Sequence, residues 1–148
     1  MNKEAYCSEK ISELLKKKGF DVPCTAFWEY ELYEYSLYIG GYPMSNSELE
    51  RELLDGWSAP THQMARSWLR DVHNIDIDID AEVGMLGRKV YVPSISTYKP
   101  IENTDRVSQH KRGLYYNDDS GVVPAMQYFP SYEEAVEAAL KYSLENLI

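Results

Sequence analysis

Long apolar runs are missing from this chain: no stretch approaches the roughly 20 residues that a membrane-spanning helix needs. The opening residues, Met1 to Lys10, carry charges where a signal peptide would need an apolar centre. The expectation is a cytoplasmic protein with no membrane partner. Cysteine is scarce too. Cys7 and Cys24 are too few for a disulfide framework and read as reduced thiols. Positive charge is in deficit, with 15 Lys and Arg against 24 Asp and Glu, a formal net charge of −9. A surface of that sign repels phosphate backbones at long range, so nucleic acid is not an expected partner. No Gly-x-Ser-x-Gly, His-Glu-x-x-His, Walker A or Gly-x-Gly-x-x-Gly run occurs, which removes the common signatures of catalysis and phosphate binding.

What the chain has in excess is tyrosine: 13, beside 3 Trp and 3 Phe. An apolar ring with a hydrogen-bonding tip suits half-buried sheets and recognition surfaces alike. At 148 residues, one domain spanning 1–148 is expected. A chain of that size buries roughly 68–70% of its unfolded surface without staples.

The pattern centres on Ser58 to Asp80. Met64, Ala65, Trp68, Leu69 and Val72 recur at spacings of three and four, so they share one helix face, capped by Ser58 or Thr61. From Ile75 the period changes to two, with Ile75, Ile77 and Ile79 on one side of a strand. A helix leading directly into a strand folds back on the sheet to bury both apolar faces. Gly84 to Gly87 then signals a turn. A four-residue loop would set Glu82 against Lys89 and Ile79 against Val92, while Pro93 implies an edge strand or a bulge.

Elsewhere, residues 4 to 18 read as a helix with Cys7, Ile11, Leu14 and Leu15 as its stripe, closed by Gly19 with Phe20 packed back. Residues 24 to 42 fit either a hairpin or a helix, and Gly40-Gly41-Tyr42-Pro43 ends that segment. Ser45 to Asp55 reads as a short helix or a strand. Residues 97 to 121 form a polar stretch expected to be functional or mobile. Leu114 to Tyr116 and Val122 to Phe129 would form a last strand pair. Ser131-Tyr-Glu-Glu134 has capping-box spacing and opens a C-terminal helix.

Three constellations offer chemistry. Asp76, Asp78 and Asp80 share a strand face that could hold a hard cation, or simply lie solvated opposite Arg88 and Lys89. Cys24 with His62, His73 or His110 is the Cys–His option, with Cys7 assigned to the helix core and His62 to the surface. Tyr33 and Tyr35, with Arg106, Lys111 and Arg112, are the candidates for a binding surface.

The run Ser58-Ala-Pro-Thr-x-x-x-Ala-x-x-Trp-Leu-Arg-x-x-His73 stands out beside the opening Ile11-Ser-Glu-Leu-Leu-Lys-Lys-Lys-Gly-Phe20 and the ending Tyr132-Glu-Glu-Ala135. Together they resemble small uncharacterised proteins carried by prophages and conjugative elements of gut Bacteroidales. The resemblance implies an accessory protein of a mobile element. It brings no activity, cofactor or site residue with it. The whole reads as an α+β domain: a small, mostly antiparallel, Tyr-rich sheet with about three main helices packed chiefly on one face. The expected function is binding through a protein surface rather than catalysis, with no cofactor. The alternative is a small enzyme or metal-binding protein using Cys24 or the Asp76, Asp78 and Asp80 face.

Overall fold

Capping chemistry sets where each helix begins. In the computed structural model, which describes residues 5–52, 54–100, 107–112 and 128–148 (without the side chains of 98–100 and 107–112), Ser8 accepts from the Ile11 amide and opens α1, Glu9–Lys17. Ser45 and Glu48 form a reciprocal capping box on α2, Asn46–Arg51. Thr61, not Ser58, caps α3, His62–His73, and Ser131 caps α4, Tyr132–Asn146. Gly19, at φ +94°, closes α1 and turns Phe20 back so that its amide donates to the Leu15 carbonyl. Cys7 lies before this helix rather than inside it.

The strands form two sheets instead of one. In the first, β1 (Cys24–Glu31) lies between β2 (Glu34–Met44) and β3 (Gly56–Ser58). In the second, β5 (Lys89–Pro100) lies between β4 (Ile75–Val83) and β6 (Val107–Arg112). All described pairings are antiparallel, and the architecture is α+β. Residues 24 to 42 are thus a hairpin. Its second strand does not stop at the glycines: residues 40–43 bulge between the pairs Ala26–Ile39 and Cys24–Met44, and the strand rejoins at Met44.

The β4–β5 register differs from the sequence expectation by one residue: Val83 faces Lys89, Glu82 faces Val90 and Ile79 faces Pro93. The loop takes five residues because Leu86 and Gly87 both adopt positive φ, and Gly84 N–H closes it on the Arg88 carbonyl at 2.7 Å. Slipping by one changes which β5 side chains share a face with the isoleucines. Ile95 now joins Ile75 and Ile77 in the core. Pro93 stands in the central strand, contrary to the edge expectation. Tyr91 bonds Phe129 on the side away from β4, and strand N–H directions alternate, so the Pro93 nitrogen points the same way. Among the described residues the β6 ladder starts at Ser94, so none of them loses a bond to Pro93.

The core joins Ile11 and Leu15 of α1, Ala65 and Leu69 of α3, Ile75, Ile77 and Ile95 of the second sheet, and Val136, Ala139, Leu140 and Leu144 of α4. Phe20 fills its edge, with Trp68 edge-on to it at 5.5 Å. Arg66 ties α3 outward, donating to the Tyr132 hydroxyl at 2.7 Å and to the Ile77 carbonyl. Of the polar stretch 97 to 121, residues 97–100 belong to β5 and 107–112 to β6. The rest, with the expected strand pair at 114–116 and 122–127, lies outside the described residues. Among the described residues, no helix is long and apolar enough to cross a membrane.

Leu69 is fully buried whereas Trp68 is only partly so. Leu69→Ala is expected to lower the unfolding free energy by about 2–5 kcal/mol, and Trp68→Ala by less than the roughly 3–5 kcal/mol of a fully buried tryptophan. Urea unfolding of both variants checks the order. A larger loss at Trp68 would place it at the centre of the core.

Candidate functional site

Two places depart from what the surrounding sequence would choose. The first is the tip of the β1–β2 hairpin. Tyr30 pairs with Tyr35 and Glu31 with Glu34, leaving Leu32 and Tyr33 as the two-residue turn. Both have positive φ, 51° and 70°. That turn favours Asn-Gly, because a Cβ in the left-handed region is strained. Their side chains are 91% and 94% exposed, so among the described residues no packing offsets the strain. Glu31 and Glu34 face each other directly, a like-charge pair that weakens a hairpin. Further along, Ile39 is more than half exposed, and the bulge lifts Tyr42 into solvent at 89%.

Below the tip the hairpin is well anchored. Tyr35 lies tilted against Trp57 at 4.7 Å and against Tyr30 at 4.9 Å, while Phe27 stacks on Tyr38 at 5.4 Å. Trp28 Nε1–H donates to the Cys7 carbonyl at 3.1 Å. Gly56 brings β3 so close to β1 that an added methyl would collide with the Trp28 carbonyl. A rigid base therefore presents an apolar, acid-flanked tip. Tyr38 donates to Glu31 Oε2 at 2.5 Å; that bond, ahead of burial and the nearby carboxylate charges, raises the phenol's pKa.

The second place is a junction between the N-terminal arm, α3 and α4. Tyr6 bridges Thr61, Cys7 N–H donates to the Pro60 carbonyl at 2.8 Å, and His62 N–H donates to Ala5. This holds the arm across the start of α3, where Glu137 of α4 meets it. The Ser8 amide and hydroxyl donate to Glu137 Oε1 and Oε2, each at 2.8 Å, and His62 Nε2 lies 2.8 Å from Oε1. The Cys7 thiol completes the group: one donor atom from each of Cys7, His62 and Glu137 lies within 4.8 Å of the others. Burial alone would raise the Glu137 pKa, yet the bonds from His62 and Ser8 outweigh it and hold the carboxyl below its ordinary value. Burial, then the Glu137 charge, push the Cys7 thiol well up, which disfavours a nucleophilic thiolate there. A groove of about 850 Å³ opens beside the junction, lined by Tyr6, Leu37, Ile39, Phe129, His62 and Glu137 among others.

The sequence candidates fall differently. Tyr33 sits in the β1–β2 turn and Tyr35 in β2 of the first sheet, Lys111 and Arg112 in β6 of the second, and Arg106 lies outside the described residues. Asp76, Asp78 and Asp80 oppose Ser96, Ser94 and Val92, not Arg88 and Lys89. Alternate strand residues stand roughly 6.6 Å apart, so these three carboxylates are strung along β4, and they are not part of the described donor group whose atoms lie within 4.8 Å of one another. The Cys24 thiol donates to the Val22 carbonyl at 3.3 Å, and burial pushes its pKa up to about 11. It is Cys7 that meets a histidine. His62, expected at the surface, is only 8% exposed. No sequence signal marked Glu137, which lies beside the apolar stripe of α4 where an exposed residue is the usual occupant. Comparison with protein-family models, curated proteins and solved structures finds no match to this chain.

The depressed Glu137 carboxyl has a definite pH signature. Its contribution to stability is complete above the unfolded value of about 4.5 and is lost as pH falls through the lower folded value. Glu137→Gln should cost about 1–3 kcal/mol at neutral pH by weakening the bonds from the buried His62 and from Ser8 to a half-buried charge. It should also flatten the acid limb of a stability-against-pH curve measured by urea unfolding. Parallel curves for the two proteins would remove the junction from the acid response.

Proposed function

We propose that the protein is a non-catalytic binding protein that docks a protein partner through the tip of the β1–β2 hairpin. The observation that carries this reading is Leu32 and Tyr33, two bulky side chains held at positive φ and almost wholly in solvent. Local strain and exposed apolar surface cost stability and persist where function requires them. Tyrosine and leucine at a protruding tip suit the pocket of a partner, and Ile39 and Tyr42 are exposed further along β2. Glu29, Glu31 and Glu34 flank it, so the complementary surface is an apolar pocket with a basic rim. The resemblance to proteins of prophages and conjugative elements supports an accessory role in a bacterial cytoplasm. The net charge of −9 supports a protein rather than a nucleic-acid partner.

The test places a photoreactive benzoylphenylalanine at position 33 and, separately, at position 10, where Lys10 is exposed on α1. Irradiation in extract of the source cells should give a discrete, nuclease-resistant protein adduct from position 33 and none from position 10. Adducts at both positions, or at neither, would overturn the assignment. The double change Leu32→Asn with Tyr33→Gly suits the turn better, so it should stabilise the fold by about 1 kcal/mol. The same change should weaken capture of the adducted partner by at least about tenfold. Stability and binding moving in opposite directions would separate a recognition tip from a structural one.

A further inference from the structure

The junction at Glu137 is more than a set of helix-end hydrogen bonds. We infer that Cys7, His62 and Glu137 form a binding site for one zinc-type divalent transition-metal ion. The three donors come from the N-terminal arm, α3 and α4, and no local chain geometry requires them to meet. Even so, a sulfur, an imidazole nitrogen and a carboxylate oxygen lie within 4.8 Å of one another. Metal bonds of about 2.0–2.3 Å put the donors of one tetrahedral ion roughly 3.3–3.8 Å apart. The widest pair needs to close by only about 1 Å. A thiolate, an imidazole and a carboxylate select a borderline ion such as zinc over calcium or magnesium, which take oxygen alone.

The surroundings fit the same reading. Ser8 donates twice to the Glu137 carboxylate, the outer support that orients a ligating carboxylate. His62 and Glu137 line the groove while Cys7 is fully buried behind them. Three protein donors leave a fourth position open, and the groove that His62 and Glu137 line is a route by which water or a small ligand would reach it. Binding through His62 Nε2 breaks its hydrogen bond to Glu137 Oε1, the imidazole proton residing on Nδ1, and the proton lost is that of the Cys7 thiol. A divalent ion, the Cys7 thiol, neutral His62 and the Glu137 carboxylate give the metal thiolate complex and one proton released to solvent. The remaining imidazole proton resides on the nitrogen that does not ligate, and no oxidation state changes.

The experiment uses the full chain, reduced and freed of metal by a chelator that is then removed, titrated with cobalt(II) alone. The expected result is saturation at one ion per chain, with a thiolate-to-cobalt charge-transfer band and the visible absorption of tetrahedral cobalt, both displaced by zinc. Cys7→Ser should abolish the charge-transfer band and Cys24→Ser should retain it. His62→Gln and Glu137→Gln should each weaken binding by at least about tenfold. Circular dichroism establishes that each variant is folded. X-ray absorption of the zinc-loaded wild-type chain needs no variant. One sulfur at about 2.3 Å, with nitrogen and oxygen at about 2.0–2.2 Å, supports the site. A shell of nitrogen and oxygen alone, a charge-transfer band that survives in Cys7→Ser, or no cobalt absorption in the folded wild-type chain would overturn it.

Discussion

A single carboxylate ties the N-terminal arm and the starts of two helices to a third, at the edge of the core that those helices share. Glu137 projects from α4 and receives the amide and hydroxyl of Ser8 and the imidazole of His62, the residues at which α1 and α3 begin. A carboxylate placed there also lies near the positive ends of two helix dipoles. Burying a charge is costly unless it is paired and hydrogen-bonded, and here every contact favours the charged form. The arm from Ala5 to Ser8 is fixed in turn: its backbone bonds Pro60 and His62, and its Cys7 carbonyl accepts from Trp28. Through that arm the hairpin sheet is joined to the helices.

The rest of the molecule shows agreement between local preference and tertiary structure. Serines and a threonine cap the helices, a glycine closes α1, and Asn74 takes the left-handed position that ends α3. Such consistency is what gives a chain one folded state. The turns depart from it: Leu86 takes positive φ in the β4–β5 loop, and the hairpin tip places leucine and tyrosine together where asparagine and glycine would be preferred, with glutamates facing each other beneath them. The strain is confined to the turn and its base is stiff, so the backbone that carries the exposed side chains is held in place and less chain freedom is lost on contact. The tip and the junction therefore differ in kind. One displays side chains outward at a local cost, and the other gathers polar groups inward where they satisfy one another.

What the sequence determined by itself was local. Spacings of three and four marked the buried Ala65 and Leu69 of α3, and alternation marked the buried Ile75 and Ile77 of β4. Ser131 and Gly19 marked helix ends, because caps and positive-φ positions are dictated by chemistry within a few residues. The α+β class followed from the two periodicities together. Tertiary structure decided everything that depends on distant partners. The β4–β5 register moved by one residue because the turn's backbone conformation, invisible in hydrophobic patterning, took an extra residue. Tyr-rich strands separated into two sheets because pairing partners are chosen by packing, not by composition. Above all, Cys7, His62 and Glu137 are separated by long stretches of chain and carry no shared motif. Cys7 read alone as helix core and His62 as helix surface, nothing marked Glu137, and only the crossing of the arm with α3 and α4 made them one cluster.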